Sequence, residues 1–158
     1  MSESAARIEE LKASLRLQPH VEGGHYYRFH PPKGADHGGA RHAMSAIHYL
    51  LEAGQCSSWH RVDAEEVWHF VEGEPLELLV YNPVTQWLDR FRLGPLTDGV
   101  QAVAVVPAGA WQAARPLGTY ALATCVVAPG FEYEGFELLA EDDPLAAHLE
   151  GLVPEIGF

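Results

Sequence analysis

Residues 54–73 read GQCSSWHRVDAEEVWHFVEG, and the spacing within them decides the fold. Its skeleton is Gly54, five residues, His60, one residue, Val62, three residues, Glu66, six residues and Gly73. Side chains on a strand alternate faces, so His60 and Val62 point the same way, and Glu66 opens the following strand. A second stretch, Pro107-Ala-Gly109-Ala-Trp-Gln112, puts Gln112 just beyond a tight Pro-Gly turn on another strand. In a closed barrel, groups placed like this converge at one end of the interior.

Working outward, the flanking chain keeps the rhythm of strands. His25–His30 is rich in Tyr and Phe, and Met44–Leu51 is apolar. Ser57–Val62 and Glu66–Glu72 carry the opening stretch. Leu76–Tyr81 and Gln86–Leu93 flank Asn82-Pro83, a hairpin connection. Ala102–Val106, Trp111–Arg115 and Tyr120–Ala128 follow, bounded by Pro and Gly, and Phe131–Leu139 completes the sheet. About nine short strands at this spacing predict an all-β barrel or sandwich and not a βαβ protein. PPKGADHGGA at 31–40 is a loop by composition.

The two ends read as helices. Ile8, Leu11 and Leu15 recur at three- and four-residue spacing, with Ser2 or Ser4 as cap. This helix should end near Leu17, because Pro19 biases the residue before it away from helical angles. Asp142-Asp143-Pro144 opens a second helix, with Leu145, His148, Leu149 and Leu152 as its apolar face. No repeat or linker interrupts the chain, so residues 1–158 are expected to form one domain. Its helix would cover about residues 2–16, its barrel about 23–139 and its tail 140–158.

Composition narrows the function classes. A chain of 158 residues with 47% hydrophobic and 20% charged residues can bury a real core. Its formal charge of −12, from 22 acidic against 10 basic residues, repels phosphate backbones and anionic lipid. Neither nucleic acid nor a membrane is therefore an expected partner. The polar start MSESAARIEELKASL lacks a signal-peptide core, and no apolar run approaches the ~20 residues that span a bilayer. A cytoplasmic setting is expected. Cys56 and Cys125 make no disulfide framework, and Cys125, inside an apolar run, reads as a buried thiol. His20, His25, His30, His37, His42 and His48 are spaced by five or more and match no zinc pattern.

The opening stretch closely resembles the first cupin motif, in which the position of Val62 is normally a second histidine. Pro107–Gln112 resembles the core of the second motif, Pro-x-Gly-x-x-His, with Gln112 at the histidine position; the Gly and Asn flanks of that motif are not matched. Several segments together resemble a narrower subfamily, the cupin-5 proteins, long catalogued as a domain of unknown function. They are Leu17-Gln-Pro-His-Val-Glu-Gly-Gly-His-Tyr-Tyr-Arg28, Ile47-His-Tyr-Leu-Leu51, the run Ser58–His69, Trp111-Gln-Ala-Ala114 and Val127-Ala-Pro-Gly-Phe-Glu132, spanning about residues 17–137. The resemblance implies a double-stranded β-helix, the cupin or jelly-roll barrel, with a short N-terminal and a short C-terminal helix. It implies no particular activity, since one fold hosts many chemistries.

The ordinary cupin site uses three His and one Glu to hold Fe, Mn, Ni or Zn. Here His60 and Glu66 match, Val62 cannot ligate, and Gln112 offers only a weak neutral oxygen. A catalytic metal wants about three good protein ligands. No cofactor is firmly implied, and a divalent metal on His60, Glu66 and Gln112 stands as an alternative. In the metal-free reading, His60 and Glu66 form an acid–base pair, the carboxylate fixing the imidazole tautomer. That layout is similar to the metal-free cupin sugar epimerases, whose base is a barrel-lining histidine.

Tyr26 and Arg28 share a strand face beyond Gly23-Gly24, and Arg28 suits a carboxylate or phosphate as well as a structural salt bridge. Trp68 and Phe70 fall on the Glu66 face, so Tyr26, Arg28, Trp68 and Gln112 would shape a pocket for a small-molecule ligand. Trp59, Arg61 and Trp111 fall on the outward set, which points to a covered exterior and a homodimer. Three functions fit these residues. One is a metal-independent sugar or keto-acid isomerase or epimerase, one a metal-dependent, dioxygenase-like cupin, and one a non-catalytic small-molecule-binding or structural barrel.

Overall fold

The computed structural model describes residues 1–35 and 38–158. Its strands are β1 (Gln18–Pro19), β2 (His25–His30), β3 (Ser45–Glu52), β4 (Ser57–Val62), β5 (Glu65–Gly73) and β6 (Leu76–Asn82). They continue with β7 (Trp87–Leu93), β8 (Val103–Val106), β9 (Trp111–Pro116), β10 (Tyr120–Ala128) and β11 (Phe136–Leu138). Two helices, α1 (Glu3–Ser14) and α2 (Pro144–Leu152), flank them.

The strands form two antiparallel sheets, ordered β1-β2-β3-β10-β5-β8 and β11-β4-β9-β6-β7. Alternation puts one face of each sheet inward. Tyr49, Leu51, Trp68, Leu78, Val80, Val106, Ala114 and Ala123 form the barrel core there. The all-β expectation holds, as do the two short helices.

Each sheet is also covered on part of its outer face by one end of the chain. α1 lays Ile8 and Leu11 against Leu50 and Leu122 of the first sheet, with Ser2 as its cap. It stops at Ser14, short of Leu17, and Arg16 takes a left-handed backbone angle (φ 57°) as the chain turns into β1. A two-residue strand of exposed side chains leaves no hydrophobic pattern to read, which is why β1 was not expected.

On the other side, Leu139, Ala146, Leu149, Val153 and Ile156 pack over Trp59, Leu79, Tyr81 and Trp111. α2 starts on the Asp143 side chain, which accepts from the Leu145 N–H at 2.8 Å. Its buried row is Ala146 and Leu149, continued by Val153, so Leu152 is turned outward and 41% exposed. The expected face with His148 and Leu152 is thus rotated. Ala146 and Leu149 share one buried cluster with Trp59 and Trp111. Between β10 and α2, only Phe136–Leu138 of the expected 131–139 segment is strand, preceded by a 3-10 turn at Tyr133–Gly135. Among the described residues, no helix is long and apolar enough to cross a membrane.

A candidate functional site in the barrel mouth

A cavity of about 340 Å³ opens between the sheets at one end of the barrel. Its buried polar lining includes His60, Glu22 and Glu66, each less than a tenth exposed. His20, Ile47, Val62, Cys125 and Val127 also line it, together with Tyr26, Phe131, Tyr133 and Phe136. The exposed side chains of Arg28 and Lys33 stand at its rim.

His60 and Glu66 reach this cavity as the strand alternation requires. Glu22 reaches it by another route. Gly23 has φ 109°, and a Cβ there would lie 2.1 Å from the carbonyl oxygen of Cys56. Only glycine permits so close an approach of backbone to backbone. The Ser58 N–H donates to the Glu22 carbonyl at 2.8 Å, and the Tyr49 hydroxyl donates to the Gly23 carbonyl. The glycine pair therefore clamps the turn onto the start of β4 and swings Glu22 inward beside His60.

The hydrogen bonds define where protons sit. His60 Nδ1 is 2.7 Å from the Ser58 carbonyl oxygen, which can only accept, so Nδ1 carries hydrogen. His60 Nε2 lies 3.1 Å from Glu22 Oε2. Two bare lone pairs would repel at that distance, so the Glu22–His60 contact holds one proton between them. Burial pushes the Glu22 carboxyl up to about 7, against the pull of His20 and nearby hydroxyls. Burial likewise lowers the pKa of His60, although Glu66 opposes this. Both directions favour a carboxylic acid donating to a neutral imidazole.

Glu66 is raised to about 7 by the same loss of water, partly offset by His60 and Gln112. His20 accepts the Glu22 N–H on Nδ1 at 3.1 Å and is also held toward its neutral form by burial. Spacing along the sequence gives His20 and Glu22 no role, yet the fold brings both to the cavity. The one legible signal was the Gly23-Gly24 pair. Cys125 lines the same cavity as an inert thiol, its pKa driven well up by burial. His37 lies outside the described residues.

Gln112 and Trp68 stand one layer behind the cavity wall. The Trp68 indole N–H donates to Gln112 Oε1 at 2.8 Å, and Gln112 Nε2 donates to Glu66 Oε1 at 2.8 Å. An indole can only donate, which fixes the amide orientation. Gln112 lies on β9 and its two partners on β5, so the amide ties one sheet to the other. Phe70 packs against the barrel core beside Trp68. Tyr26 and Arg28 do line the cavity.

The family model described as Cupin superfamily (DUF985) matches residues 9–139. The chain belongs to this cupin family. Among solved structures, a Shewanella oneidensis protein is 27% identical with a TM-score of 0.84, over 95% of this chain and 96% of that one. A hypothetical protein from Leishmania major is 29% identical with a TM-score of 0.74, over 93% and 92%. The DMSP lyase DddQ from Ruegeria pomeroyi, at 19% identity and a TM-score of 0.58 over 90% and 71%, shares the fold. No curated protein matches the chain.

The cupin fold raises the question of a metal. Val62, on the cavity wall, offers no donor, and Gln112 Oε1 already accepts from Trp68. Glu66 Oε1 already accepts from Gln112, and His60 Nε2 faces Glu22. Among the described residues, no three His, Cys, Asp or Glu side chains are placed to hold a metal ion. The donor set of His60, Glu66 and Gln112, as this cupin arranges it, does not fit a resident metal. The outward tryptophans also have an owner. Trp59 and Trp111 are covered by the C-terminal segment, and Arg61 lies 4.6 Å over the Trp111 ring. They therefore give no argument for a homodimer.

Proposed function

We propose that this cupin binds a small molecule in the barrel mouth and moves a proton on it without a metal, as an isomerase or epimerase of a sugar or keto compound. What carries the reading is the 3.1 Å contact between Glu22 Oε2 and His60 Nε2, which calls for one shared proton, with His60 Nδ1 pinned to Ser58. The pair can take up a second proton, becoming carboxylic acid plus imidazolium, and return it. Its target would be a C–H bond next to a carbonyl.

Glu66 lies in the same cavity and keeps its proton up to about 7. It is suited to donate that proton to the carbonyl oxygen as the C–H proton leaves, giving a neutral enediol. Returning the proton to the other face or the neighbouring carbon, while Glu66 takes a proton back from an enediol hydroxyl, re-forms the carbonyl and completes an epimerisation or isomerisation. An acid and a base poised near neutral pH in one cavity is what such chemistry needs. Gln112 acts here as a positioning residue for Glu66.

The test is exchange of substrate C–H for deuterium, followed by NMR in D2O with chelator present, across a panel of aldoses, ketoses and keto acids. Exchange should occur with at least one compound. His60→Asn and Glu22→Gln should each slow it by about a hundredfold or more, the scale of lost general acid–base catalysis. Exchange at the wild-type rate in both variants would end the proposal, as would its absence across the panel. The latter result would favour a non-catalytic binding barrel.

A further inference from the structure

The rim of the cavity is chemically unlike its floor. Of the ten basic side chains in this chain of formal charge −12, Arg7, Lys12, Arg41, Arg61, Arg90 and Arg115 make ion pairs with carboxylates. With acids in more than twofold excess, such pairing is the default for a surface cation. Among the described residues Arg16, Arg28, Lys33 and Arg92 depart from it, and of these four Arg28 and Lys33 border the cavity. Neither has a carboxylate partner among the described residues, and both line the mouth of the same cavity. The two carboxyls deeper in that cavity, Glu22 and Glu66, are the ones burial drives toward the neutral form. Two cations without carboxylate partners thus stand over a floor whose two carboxyls burial draws toward the neutral form.

The wall between rim and floor is aromatic. Phe131 and Phe136 meet with ring centres 5.6 Å apart, and Phe136 also lies 5.7 Å from the His60 ring. Rings on one side of the cavity give an apolar surface for the C–H groups of a carbon skeleton.

We infer that the cavity takes a small organic anion, its phosphate or carboxylate held at the rim by Arg28 and Lys33 and its carbon skeleton lying along Phe131 and Phe136 toward His60. Arg28 supplies the planar fork that binds oxyanions through two parallel hydrogen bonds, and Lys33 adds a mobile point charge. In a strongly acidic protein, a local cationic rim also selects this mouth as the entry point for an anion. The inference rests on the proton-transfer reading for the orientation of the ligand, because it places the reactive carbon at the inner end.

Equilibrium binding tests it without requiring turnover. The full chain is titrated calorimetrically with ribose 5-phosphate, gluconate and ribose. At least one of the two anions should bind about tenfold or more tightly than ribose, the advantage charge-assisted hydrogen bonds provide. Phosphate and carboxylate recognition are separated by which anion wins. The double variant Arg28→Ala/Lys33→Ala should lose that advantage, while Arg92→Ala should keep it. Retained binding in His60→Asn with loss of exchange would uphold both readings. Anion selectivity without any wild-type exchange would sink the proton-transfer reading and leave this one standing. Equal affinity for ribose and both anions, no binding of either anion, or undiminished selectivity in the double variant would overturn it.

Discussion

Glu22 is where local chemistry has its largest effect on the molecule. Its carboxyl moves from an ordinary 4.5 to about 7 in the fold, so between those values it is protonated when folded and ionised when unfolded. Its contribution to stability is therefore complete below about 4.5 and lost as pH rises through about 7. His60 runs the other way. Its lowered pKa gives a contribution that is present above 6.5 and lost as pH falls. Glu22→Gln keeps an N–H donor against His60 Nε2 and cannot ionise. The stability of the wild type relative to this variant should therefore fall by on the order of 3 kcal/mol between pH 4.5 and 8, measured by urea unfolding at each pH. A flat difference would show that the carboxyl ionises normally in the fold. That Glu22 belongs here was not legible from the chain. His60 and Glu66 are joined by spacing along two successive strands, whereas Glu22 arrives from a different turn. Its only mark was the Gly23-Gly24 pair, which signals a close backbone approach without naming what is approached. The conformation itself is unforgiving, since φ 109° and a Cβ at 2.1 Å from Cys56 leave no room for alanine.

Among the elements, the strands were the most legible and the helix faces the least. β2, β4 and β10 fall at His25–His30, Ser57–Val62 and Tyr120–Ala128, the spans their alternation and turn residues predict. Alternation is a local property of period two, so tertiary contacts have little left to decide. α2 is different. Four candidate apolar residues sit on a nine-residue helix, and which row is buried depends on the tryptophans waiting beneath it. Leu149 is fully buried and Leu152 is 41% exposed. Leu149→Ala should cost about 2–5 kcal/mol, the range for truncating a buried leucine. Leu152→Ala should stay within about 0.5 kcal/mol, as surface substitutions do. Thermal unfolding of the two variants separates them, and equal losses would show that the helix packs on the other row.

For the molecule as a whole, two sheets meet face to face and each is partly roofed by one end of the chain. The barrel form was legible because the resembling segments span most of it. The interior wiring was not, because Gln112 and Trp68 come from different sheets and their meeting exists only once the barrel is closed. Gln112, the alternative metal donor of the cupin resemblance, has its amide oxygen taken by Trp68 for the same reason. The side chain at position 112 serves the joint between the sheets instead of the cavity. The link from Trp68 to Gln112 also gives the barrel a built-in clock. The indole proton is buried and bonded across the joint, so it exchanges with solvent when the two sheets part. Followed by NMR in D2O, Trp68 should be among the slowest indoles to exchange, at a rate that tracks global unfolding. Gln112→Ala removes the bond and leaves the indole and Glu66 each short of a partner, at about 1–3 kcal/mol for an unsatisfied buried group. Exchange at Trp68 should then run roughly ten to a hundred times faster, timing how often the barrel breathes.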